Sequence, residues 1–357
     1  MSKIEILRMN FSNTLINWYS KHKRDLPWRK TKNPYHIWLS EVILQQTQVK
    51  QGLPYYEAFV ETYPTVFDLA KASEQDVLKL WQGLGYYSRA RYLHASAKHI
   101  AFDLKGRFPN NYNDIIKLKG IGDYTASAIA SIAFNEASAV VDGNVYRVLS
   151  RYFGINTPVN STKGIKEFKM LASTLIDKKQ PATFNQAVME FGATQCKPKN
   201  PHCIACPLKE SCVALQKNLI SHLPVKLKKT KVLTKYFNFL VCVDKNRNTI
   251  VEKRTENGIW KNLFQFPLIE SQKSLSPKAF NELKLQDTFL NSVEFDYSLY
   301  NENDIIHKLS HQHLYTKFWI IETHKLPKEA IPVENLHKYP FPILIKKFID
   351  TFNFEAL

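Results

Sequence analysis

The sequence predicts a multidomain protein in which an all-α domain precedes an α+β domain. Its 357 residues exceed the usual size of one domain. Up to about residue 216, apolar residues such as Phe11, Leu15 and Tyr19 recur at helical spacing, and no convincing period-two stretch occurs. Beyond residue 232 the chain becomes rich in β-branched and aromatic residues. We therefore divide the chain into domains at 1–216 and 233–357, joined by a linker at 217–232.

The composition indicates a globular protein with a polyanionic partner. Hydrophobic residues make up 44% and aromatic residues 13% of the chain, which excludes a disordered protein. The formal net charge of +17 makes nucleic acid the first candidate partner, although a protein can be basic without binding nucleic acid. We find no apolar run of roughly 18 to 20 residues and no signal-peptide core in MSKIEILRMNF. We therefore expect a cytoplasmic protein that does not bind a membrane.

The sequence predicts the start of a helix at Asn33 and Pro34. Asn33 has the side chain of an N-cap, and Pro34 suits the first helical position. The helix should run through Leu44, which puts Glu41 two turns inside it. For a single glutamate on a helix, a solvated surface position is the ordinary expectation.

Cysteine spacing predicts a metal site. Cys196, Cys203, Cys206 and Cys212 follow the pattern C-x6-C-x2-C-x5-C, which is the ligand set of a [4Fe-4S] cluster. A structural zinc site is the alternative, because four thiolates also suit tetrahedral zinc. The remaining Cys242 lies in a predicted strand and is expected to be a small buried hydrophobe.

A glycine-containing hairpin is predicted at residues 118–126, LKGIGDYTA. Gly120 and Gly122 permit a tight turn, and the backbone N–H groups at the start of the following helix can hold a phosphate. Asp142, in VVDGNVYRV, follows Gly122 by twenty residues. An ordinary turn between two helices and a helix-capping role for Asp142 are the alternatives.

The chain changes character after residue 216. The segment NLISHLPVKLKKTKVL is rich in lysine and suits an exposed connector, which can lie near phosphates or simply be solvated. The β-rich segments 236–243 and 249–251 flank the turn-like DKNRN and predict a hairpin.

These motifs together resemble a known enzyme family. The hairpin and Asp142 are similar to those of helix-hairpin-helix DNA glycosylases, and the cysteines to those of the iron-sulfur branch. The segments LPWR at 26–29, SEVILQQTQV at 40–49 and GLGYYSR at 83–89 make the chain resemble the MutY family of adenine DNA glycosylases. The resemblance covers nearly the whole chain, densely up to Cys212 and sparsely beyond.

The resemblance implies a fold, a binding partner and a cellular localisation. It implies a helix-hairpin-helix glycosylase domain with a [4Fe-4S] loop at 196–212, followed by a Nudix-like domain that recognises 8-oxoguanine. The implied partner is double-stranded DNA that contains adenine opposite 8-oxoguanine or guanine. We expect a monomer in the bacterial cytoplasm, associated with the nucleoid.

The chemistry of adenine excision needs an acid at the base and a negative charge near the sugar. We expect Glu41, on an apolar helix, to be protonated and to donate to adenine N7. Asp142 would stay ionised and stabilise the cationic sugar, through its charge or by transient covalent attack. Relatives that also cut the DNA strand have a lysine at the position of Tyr124. Tyr124 therefore implies a monofunctional enzyme, in which Tyr124 and Asn144 hydrogen-bond around the sugar and Asp142.

The resemblance also assigns contacts with DNA and the bases. An enzyme that acts on a base in a duplex must extrude that base and fill the gap. The implied contact residues are Arg24, Trp28 and Arg29 around the adenine, Gln46, Thr47, Leu84 and Tyr86 beside the opposite base, Gly120 and Gly122 in the hairpin, and Ser310 and His311 for 8-oxoguanine.

Several alternatives stay open for these contacts. Tyr86 and Tyr87 could be core residues, and Leu309-Ser310-His311 an ordinary surface turn; Leu309 also departs from the usual phenylalanine. The segment 258–267 is similar to Nudix folds, but no Glu-rich Nudix box follows it, so the domain should recognise and not hydrolyse. Two other functions compete: a bifunctional glycosylase/lyase for oxidised pyrimidines, and a non-catalytic DNA-binding module.

Overall fold

The computed structural model describes residues 3–227, 232–282, 290, 293–327 and 329–356. The chain forms two compact units. The helical unit joins the chain up to Lys71 with the stretch from Tyr92 to the end of the helical region. The sheet unit joins Ala72–Arg91 with the C-terminal part of the chain. The domain limits at 216 and 233 stay a prediction, and the connector 217–232 is described only up to residue 227 and at residue 232.

Before residue 217, every described regular element is helical, as the sequence predicts. The α-helices are α1 (Lys3–His22), α2 (Pro34–Leu44), α3 (Val49–Thr62), α4 (Val66–Lys71), α5 (Glu74–Leu80), α6 (Ser88–Lys98), α7 (Tyr112–Ile115), α8 (Asp123–Phe134), α9 (Gly143–Phe153), α10 (Thr162–Leu175), α11 (Pro181–Thr194) and α12 (Val213–Gln216). Short 3-10 turns occur at Pro27–Arg29 and Lys209–Ser211, and a π-helical turn at His99–Asp103. Among the described helices, none is long and apolar enough to cross a bilayer.

The start of α2 confirms the predicted cap. The Asn33 side chain accepts a hydrogen bond from Tyr35 N at 2.9 Å, and Pro34 occupies the first turn. Helix α8 packs against both α2 and α11. It offers the buried small residues Ala126, Ala128 and Ala130, which let neighbouring backbones approach closely. This packing brings the start of α8 beside the middle of α2.

The C-terminal part is built on a mixed β-sheet. Its strands are β1 (Leu233–Asp244), β2 (Asn248–Thr249), β5 (Leu268–Ser271), β6 (Phe295–Leu299), β7 (Ile305–Lys308), β8 (Gln312–Thr323) and β9 (Ile331–Pro332), while β3 (Glu252–Lys253) pairs only with β4 (Phe264–Gln265). The order is β6-β8-β1-β2-β9, with β5 beside β1 and β7 beside β8. Helices α13 (Pro277–Asn281) and α14 (Ile343–Thr351) and the 3-10 turns at Val333–Lys338 and Phe354–Ala356 also belong to this part.

The long central strands explain the core of the sheet unit. Strands β1 and β8 run parallel in register from Leu233 opposite Gln312 to Asp244 opposite Thr323. Both are buried on two faces, as expected for adjacent parallel strands. On one face Trp319 stacks on Phe280 with ring centroids 4.0 Å apart. On the other face Phe318 stacks on Phe348 of α14 at 4.1 Å.

The predicted hairpin after residue 232 is confirmed with a shorter second strand. Val243 of β1 pairs with Thr249 of β2. Residues 250 and 251 lie outside the strand, because the chain leaves for β3, which belongs to the separate pair with β4. Cys242 is fully buried in the core, as predicted.

Candidate active site

Helices α2 and α8 bring Glu41 and Tyr124 into contact. The Tyr124 hydroxyl donates a hydrogen bond of 2.7 Å to Glu41 Oε2. Glu41 is only 8% exposed, so the ordinary expectation of a solvated helix glutamate does not hold here. The hydroxyl reaches Glu41 because Tyr124 lies in the first turn of α8, which packs against α2. Tyr124 also lines the same cavity as Asp142, whose charge contributes to raising the pKa of Tyr124. Its predicted hydrogen bonding around the sugar and Asp142 stays a prediction.

Burial gives Glu41 the pKa of a general acid. Loss of solvation raises the pKa of Glu41 to about 7, and the charge of Asp142 adds to the increase. The hydrogen bond from Tyr124 and the positive charge of Arg29 act in the opposite direction. A carboxyl group with this pKa is substantially protonated near neutral pH and can deliver a proton.

Asp142 lies at the N-cap of α9 and lines the same cavity as Glu41. Its Oδ1 accepts from Asn144 N at 2.9 Å and Val145 N at 2.8 Å, and its Oδ2 accepts from Asn144 Nδ2 at 2.7 Å. Burial has the largest effect and raises the pKa of Asp142 above its ordinary value, although these donors and the charge of Arg147 act to lower it. Donors that point at both oxygens stabilise the carboxylate form. Asp142 is thus a helix cap and a cavity residue at once.

The cavity around these carboxyl groups measures about 550 Å³, within the range of small-ligand sites. Most side chains predicted to act in catalysis or adenine binding line it, namely Arg24, Trp28, Arg29, Glu41, Tyr124, Asp142 and Asn144. Thr47, predicted to contact DNA, lines it as well. Gln46 is exposed beside it, with a left-handed φ of 56°.

The predicted hairpin glycines occupy the turn before α8. Gly120 has a φ of 81°, and a Cβ there would lie 2.5 Å from Tyr92 Cβ, so both the turn and the close approach require glycine. Gly122 is the N-cap of α8 and has open space beside it. The backbone N–H groups at this helix start are therefore accessible to an anion.

The structure adds Glu190, which sequence reasoning missed. This carboxylate on α11 accepts hydrogen bonds from Arg24 Nε at 2.8 Å, Arg24 Nη2 at 2.8 Å and Arg29 Nη2 at 2.6 Å. Burial would raise its pKa, but the hydrogen bonds from Arg24 and Arg29 bring the pKa of Glu190 to about 2. The signal in the sequence is a lone carboxylate in the apolar stretch AVMEFGA, which matches the setting of Glu41.

Helix α9 connects Asp142 with the cysteine loop. Arg147 donates to Asn144 Oδ1 at 2.9 Å, to the Cys196 carbonyl at 2.7 Å and to the Gly192 carbonyl. One turn later, Arg151 donates to the Lys197 carbonyl at 2.8 Å and approaches Cys196 Sγ at 3.5 Å. The partner of Asp142 and the first cysteine of the loop therefore share one arginine.

The cysteines of the predicted metal site form no disulfide, and all of them line one cavity in the helical unit: Cys196, Cys203, Cys206 and Cys212. Within the described ranges, no three His, Cys, Asp or Glu side chains are close enough to hold a single metal ion. Four thiols around a common space are the donor set that a [4Fe-4S] cluster uses. The residues present therefore fit such a group.

A second cavity, of about 470 Å³, lies within the sheet unit. We call it the loop cavity; it is lined by parts of the 84–91 loop and the 307–311 turn, together with Trp260. Gly83 and Gly85 have positive φ, as the predicted tight loop requires. Tyr86 is 51% exposed, whereas Tyr87 and Leu84 are buried. Four predicted contact residues meet here: Leu84, Tyr86, Ser310 and His311.

Comparison with protein families assigns both parts of the chain. Residues 39–171 match the family described as HhH-GPD superfamily base excision DNA repair protein. Residues 238–351 match the family described as NUDIX domain. The predicted combination of a helix-hairpin-helix glycosylase fold and a Nudix-like C-terminal fold is therefore confirmed.

The chain is similar over most of its length to proteins named adenine DNA glycosylase. It is 40% identical to the one from Buchnera aphidicola subsp. Baizongia pistaciae over 320 residues, which cover 87% of this chain and 86% of the relative. It is 36% identical to the one from Arabidopsis thaliana over 78% of this chain and 51% of that relative. The human relative is 45% identical over 58% of this chain and 40% of its own length.

Solved structures of DNA glycosylases resemble part of the chain. A thermostable thymine-DNA glycosylase aligns with a TM-score of 0.56 and 31% identity, over 60% of this chain and all of that chain. An endonuclease III–DNA covalent intermediate aligns with a TM-score of 0.53 over 61% of this chain and all of that chain; at 21% identity it supports the fold alone.

Proposed function

Because this chain belongs to the MutY family of adenine DNA glycosylases, we propose that it removes adenine paired with 8-oxoguanine or guanine in duplex DNA. The enzyme is a DNA N-glycosylase of base excision repair. Our proposal adds the identity of the opposite base and a reaction that ends at the abasic site, without strand cleavage. The net charge of +17 suits a duplex DNA partner. We propose that the enzyme acts as a monomer.

The observation that carries the proposal is the pair of unlike carboxyl groups in one cavity. Glu41 is buried with a pKa of about 7, whereas Asp142 receives hydrogen bonds on both oxygens. In the proposed reaction, Glu41 donates its proton to adenine N7 and the C1′–N9 bond breaks. Asp142 stabilises the positive charge left on the sugar. A water molecule then adds to C1′ and loses a proton to a carboxylate, which yields free adenine and an abasic site.

The side chains around the carboxyl groups would hold the adenine. Trp28 offers an aromatic face, and Arg24 and Arg29 are kept in fixed orientations by Glu190. Thr47 lines the same cavity, and we assign Gln46 to the gap left by the extruded base. We assign the hairpin N–H groups near Gly120 and Gly122 to a DNA phosphate.

Tyr124 supports a monofunctional reaction. A strand-cleaving glycosylase needs an amine that attacks C1′, and a phenol hydroxyl cannot form a Schiff base. The Tyr124 hydroxyl is instead engaged with Glu41. We therefore propose that Tyr124 and Asn144 orient the two carboxyl groups.

We propose that Cys196, Cys203, Cys206 and Cys212 hold a [4Fe-4S] cluster. When bound, this group serves as a cross-link that orders the loop 196–212, and no step of base removal depends on electron transfer. Zinc is the alternative ligand of the same thiols. Iron and acid-labile sulfide analysis of the purified protein distinguishes them: about four irons per chain support the cluster, and zinc with no iron contradicts it.

In the sheet unit we propose that the loop cavity reads the base opposite the adenine. Tyr86 is exposed for stacking, and Ser310 offers a hydroxyl beside His311. Leu309 would supply a smaller apolar contact than phenylalanine.

The test is an excision assay on labelled duplexes with adenine opposite 8-oxoguanine, guanine, cytosine or thymine. We expect strand breaks only after hot alkali, and fastest excision opposite 8-oxoguanine. Glu41→Gln and Asp142→Asn should abolish excision, whereas Glu57→Gln, an exposed glutamate on α3, should not. Breaks without alkali would indicate a bifunctional lyase. No breaks in any duplex would indicate a DNA-binding module without catalysis.

A further inference from the structure

The loop cavity is strongly cationic. Its described lining includes the positive side chains Arg91, Lys261 and Lys308, together with His307 and His311, and it includes no aspartate or glutamate. A cavity that lacks carboxylates among its described residues and collects guanidinium and ammonium groups favours a ligand rich in negative or acceptor oxygens.

Arg91 is the member of this set that has a buried side-chain donor without a hydrogen-bond partner among the described residues. It lies on α6, where its backbone N donates to the Tyr87 carbonyl. Its side-chain Nε is buried and has no hydrogen-bond partner in the described part of the chain. A buried donor without an acceptor costs free energy, so a native protein that keeps one usually offers it to a ligand or a water molecule.

The neighbouring Arg89 has a structural role, because its guanidinium contacts residues of its own loop. Its guanidinium lies 5.1 Å from the Trp81 ring and 5.6 Å from the Tyr86 ring, and it donates to the Gly85 carbonyl at 3.1 Å. Arg89 therefore holds the loop together from within. Arg91, two residues later, lines the cavity that the loop borders.

The same cavity offers aromatic surface. Tyr86 is exposed at its rim, and Trp260 lies in its lining with its ring 5.8 Å from the His307 ring. Aromatic faces bind nucleobases by stacking, and a guanidinium binds pairs of oxygen acceptors through parallel N–H groups. A single nucleotide presents both features.

We propose that Arg91 binds oxygen acceptors of the nucleotide opposite the excised adenine. The inference rests on the proposed function and adds a specificity-determining residue to it. The acceptors have two sources, the phosphate oxygens of that nucleotide or the carbonyl oxygens of its base, and the guanidinium fork fits either.

The experiment measures DNA binding by the full-length protein. The probes are fluorescent duplexes in which a 2′-fluoro adenosine, which resists excision, faces 8-oxoguanine, guanine or an abasic analogue. Arg91→Gln removes the charge and the fork, and Arg91→Lys keeps the charge alone. Lys245→Gln, in the exposed turn after β1, is the matched control because it removes one positive charge from the sheet unit outside this cavity.

We expect Arg91→Gln to weaken binding about tenfold, and Arg91→Lys to recover only part of the loss. A loss confined to duplexes with 8-oxoguanine or guanine identifies base oxygens as the acceptors. An equal loss on all duplexes, with a smaller salt dependence, identifies the phosphate. Thermal melting of each variant separates loss of contact from loss of folding; if Arg91→Gln melts early, Arg91→Lys carries the comparison.

The proposal is overturned if neither Arg91 variant loses more affinity than Lys245→Gln on any duplex. The proposed function is tested separately, because it fails only if the wild-type enzyme does not excise adenine opposite 8-oxoguanine. Binding of the non-excisable duplex does not require that reaction, so the two failures are distinguishable.

Discussion

At the scale of single residues, the hydrogen bond between Tyr124 and Glu41 sets how acidic the proposed proton donor is. Burial favours the protonated carboxyl, while the Tyr124 hydroxyl favours the carboxylate. Together with the charges of Asp142 and Arg29, these effects leave the pKa of Glu41 at about 7, where a proton can be both held and released. Among these contributions, that of the Tyr124 phenol oxygen can be removed alone by Tyr124→Phe.

Removing that oxygen should therefore shift the pH dependence of excision. Tyr124→Phe removes the bond that lowers the pKa of Glu41, so the pKa should rise. Since activity needs protonated Glu41, the single-turnover rate falls as pH rises through about 7 in the wild type and at a higher pH in the variant. Tyr300→Phe, in the sheet unit, is the control. A falling limb that stays in position or moves to lower pH would contradict this account.

The raised pKa of Glu41 also predicts a stability effect. The folded protein holds a proton that the unfolded chain releases near pH 4.5, so this favourable contribution is complete at low pH and is lost as pH rises through about 7. Relative to Glu41→Gln, the wild type should lose most of about 3 kcal/mol of unfolding free energy over this range. Urea unfolding at about pH 5 and about pH 8 measures the difference. Equal changes in both proteins would show that Glu41 does not titrate as described.

A functional residue could be predicted from the sequence only where it belongs to a local sequence motif. Glu41 and Asp142 stand in motifs whose local elements, a capped helix and a helix N-terminus, follow from nearby residues. Glu190 could not be found in this way, because its partners Arg24 and Arg29 are more than 150 positions away along the chain. Likewise, that the Tyr124 hydroxyl bonds Glu41 depends on how α8 packs against α2.

At the scale of elements, the single helix α9 has two roles. Its N-terminus presents Asp142, and its next turns present Arg147 and Arg151 to the cysteine loop. Side chains three and four positions apart share a helix face, so Asn144, Arg147 and Arg151 can form a continuous row. A structural change in the cysteine loop can therefore displace Asn144, the hydrogen-bond partner of Asp142, through the Arg147 guanidinium.

We expect Arg147 to act as a positioning residue. Arg147→Met removes the hydrogen bond to Asn144 and a charge that lowers the pKa of Asp142. The single-turnover rate should fall about tenfold or more, and its acidic limb should move to higher pH. Arg147→Lys keeps the positive charge but not the guanidinium hydrogen bonds. Its acidic limb should therefore lie close to the wild-type position, while its single-turnover rate stays reduced. Arg107→Met, an exposed arginine of the helical unit, is the control. An unchanged acidic limb in Arg147→Met would contradict the role.

The start of α2 and the first long strand were predictable, because caps, prolines and β-rich runs are local signals. The parallel pairing of β1 with β8 was not, since nothing near either strand specifies a partner some 80 residues away. Parallel strands need a long connection, and their register is fixed only by burial on both faces.

At the scale of the whole molecule, residues 72–91 belong to the sheet unit, although they lie in the middle of the helical sequence. Lys79 Nζ donates to the Tyr339 carbonyl at 3.1 Å, and Gln82 Nε2 to the Phe341 carbonyl at 3.0 Å. Asn262 also hydrogen-bonds Glu74. A boundary drawn from composition cannot detect such a segment, because its residues are as helical as their neighbours.

A chain that ends at residue 227 should therefore lose protection within 72–91. In the truncated protein, Lys79, Arg89 and Arg91 become early trypsin sites, whereas the full-length protein resists cleavage there. Limited proteolysis followed by mass spectrometry of the fragments measures the rates. The trypsin sites at Arg147 and Arg151 in α9 provide the internal comparison. Equal protection of 72–91 in both proteins would show that the C-terminal strands do not support this segment.

The position of residues 72–91 in the chain has a consequence for co-translational folding. Lys79 is added to the growing chain 260 residues before Tyr339. At ordinary elongation speeds this delay lasts roughly 10 to 50 s. During that interval the GLGYYSR loop lacks its C-terminal partners, and the loop cavity can form only when translation is almost finished.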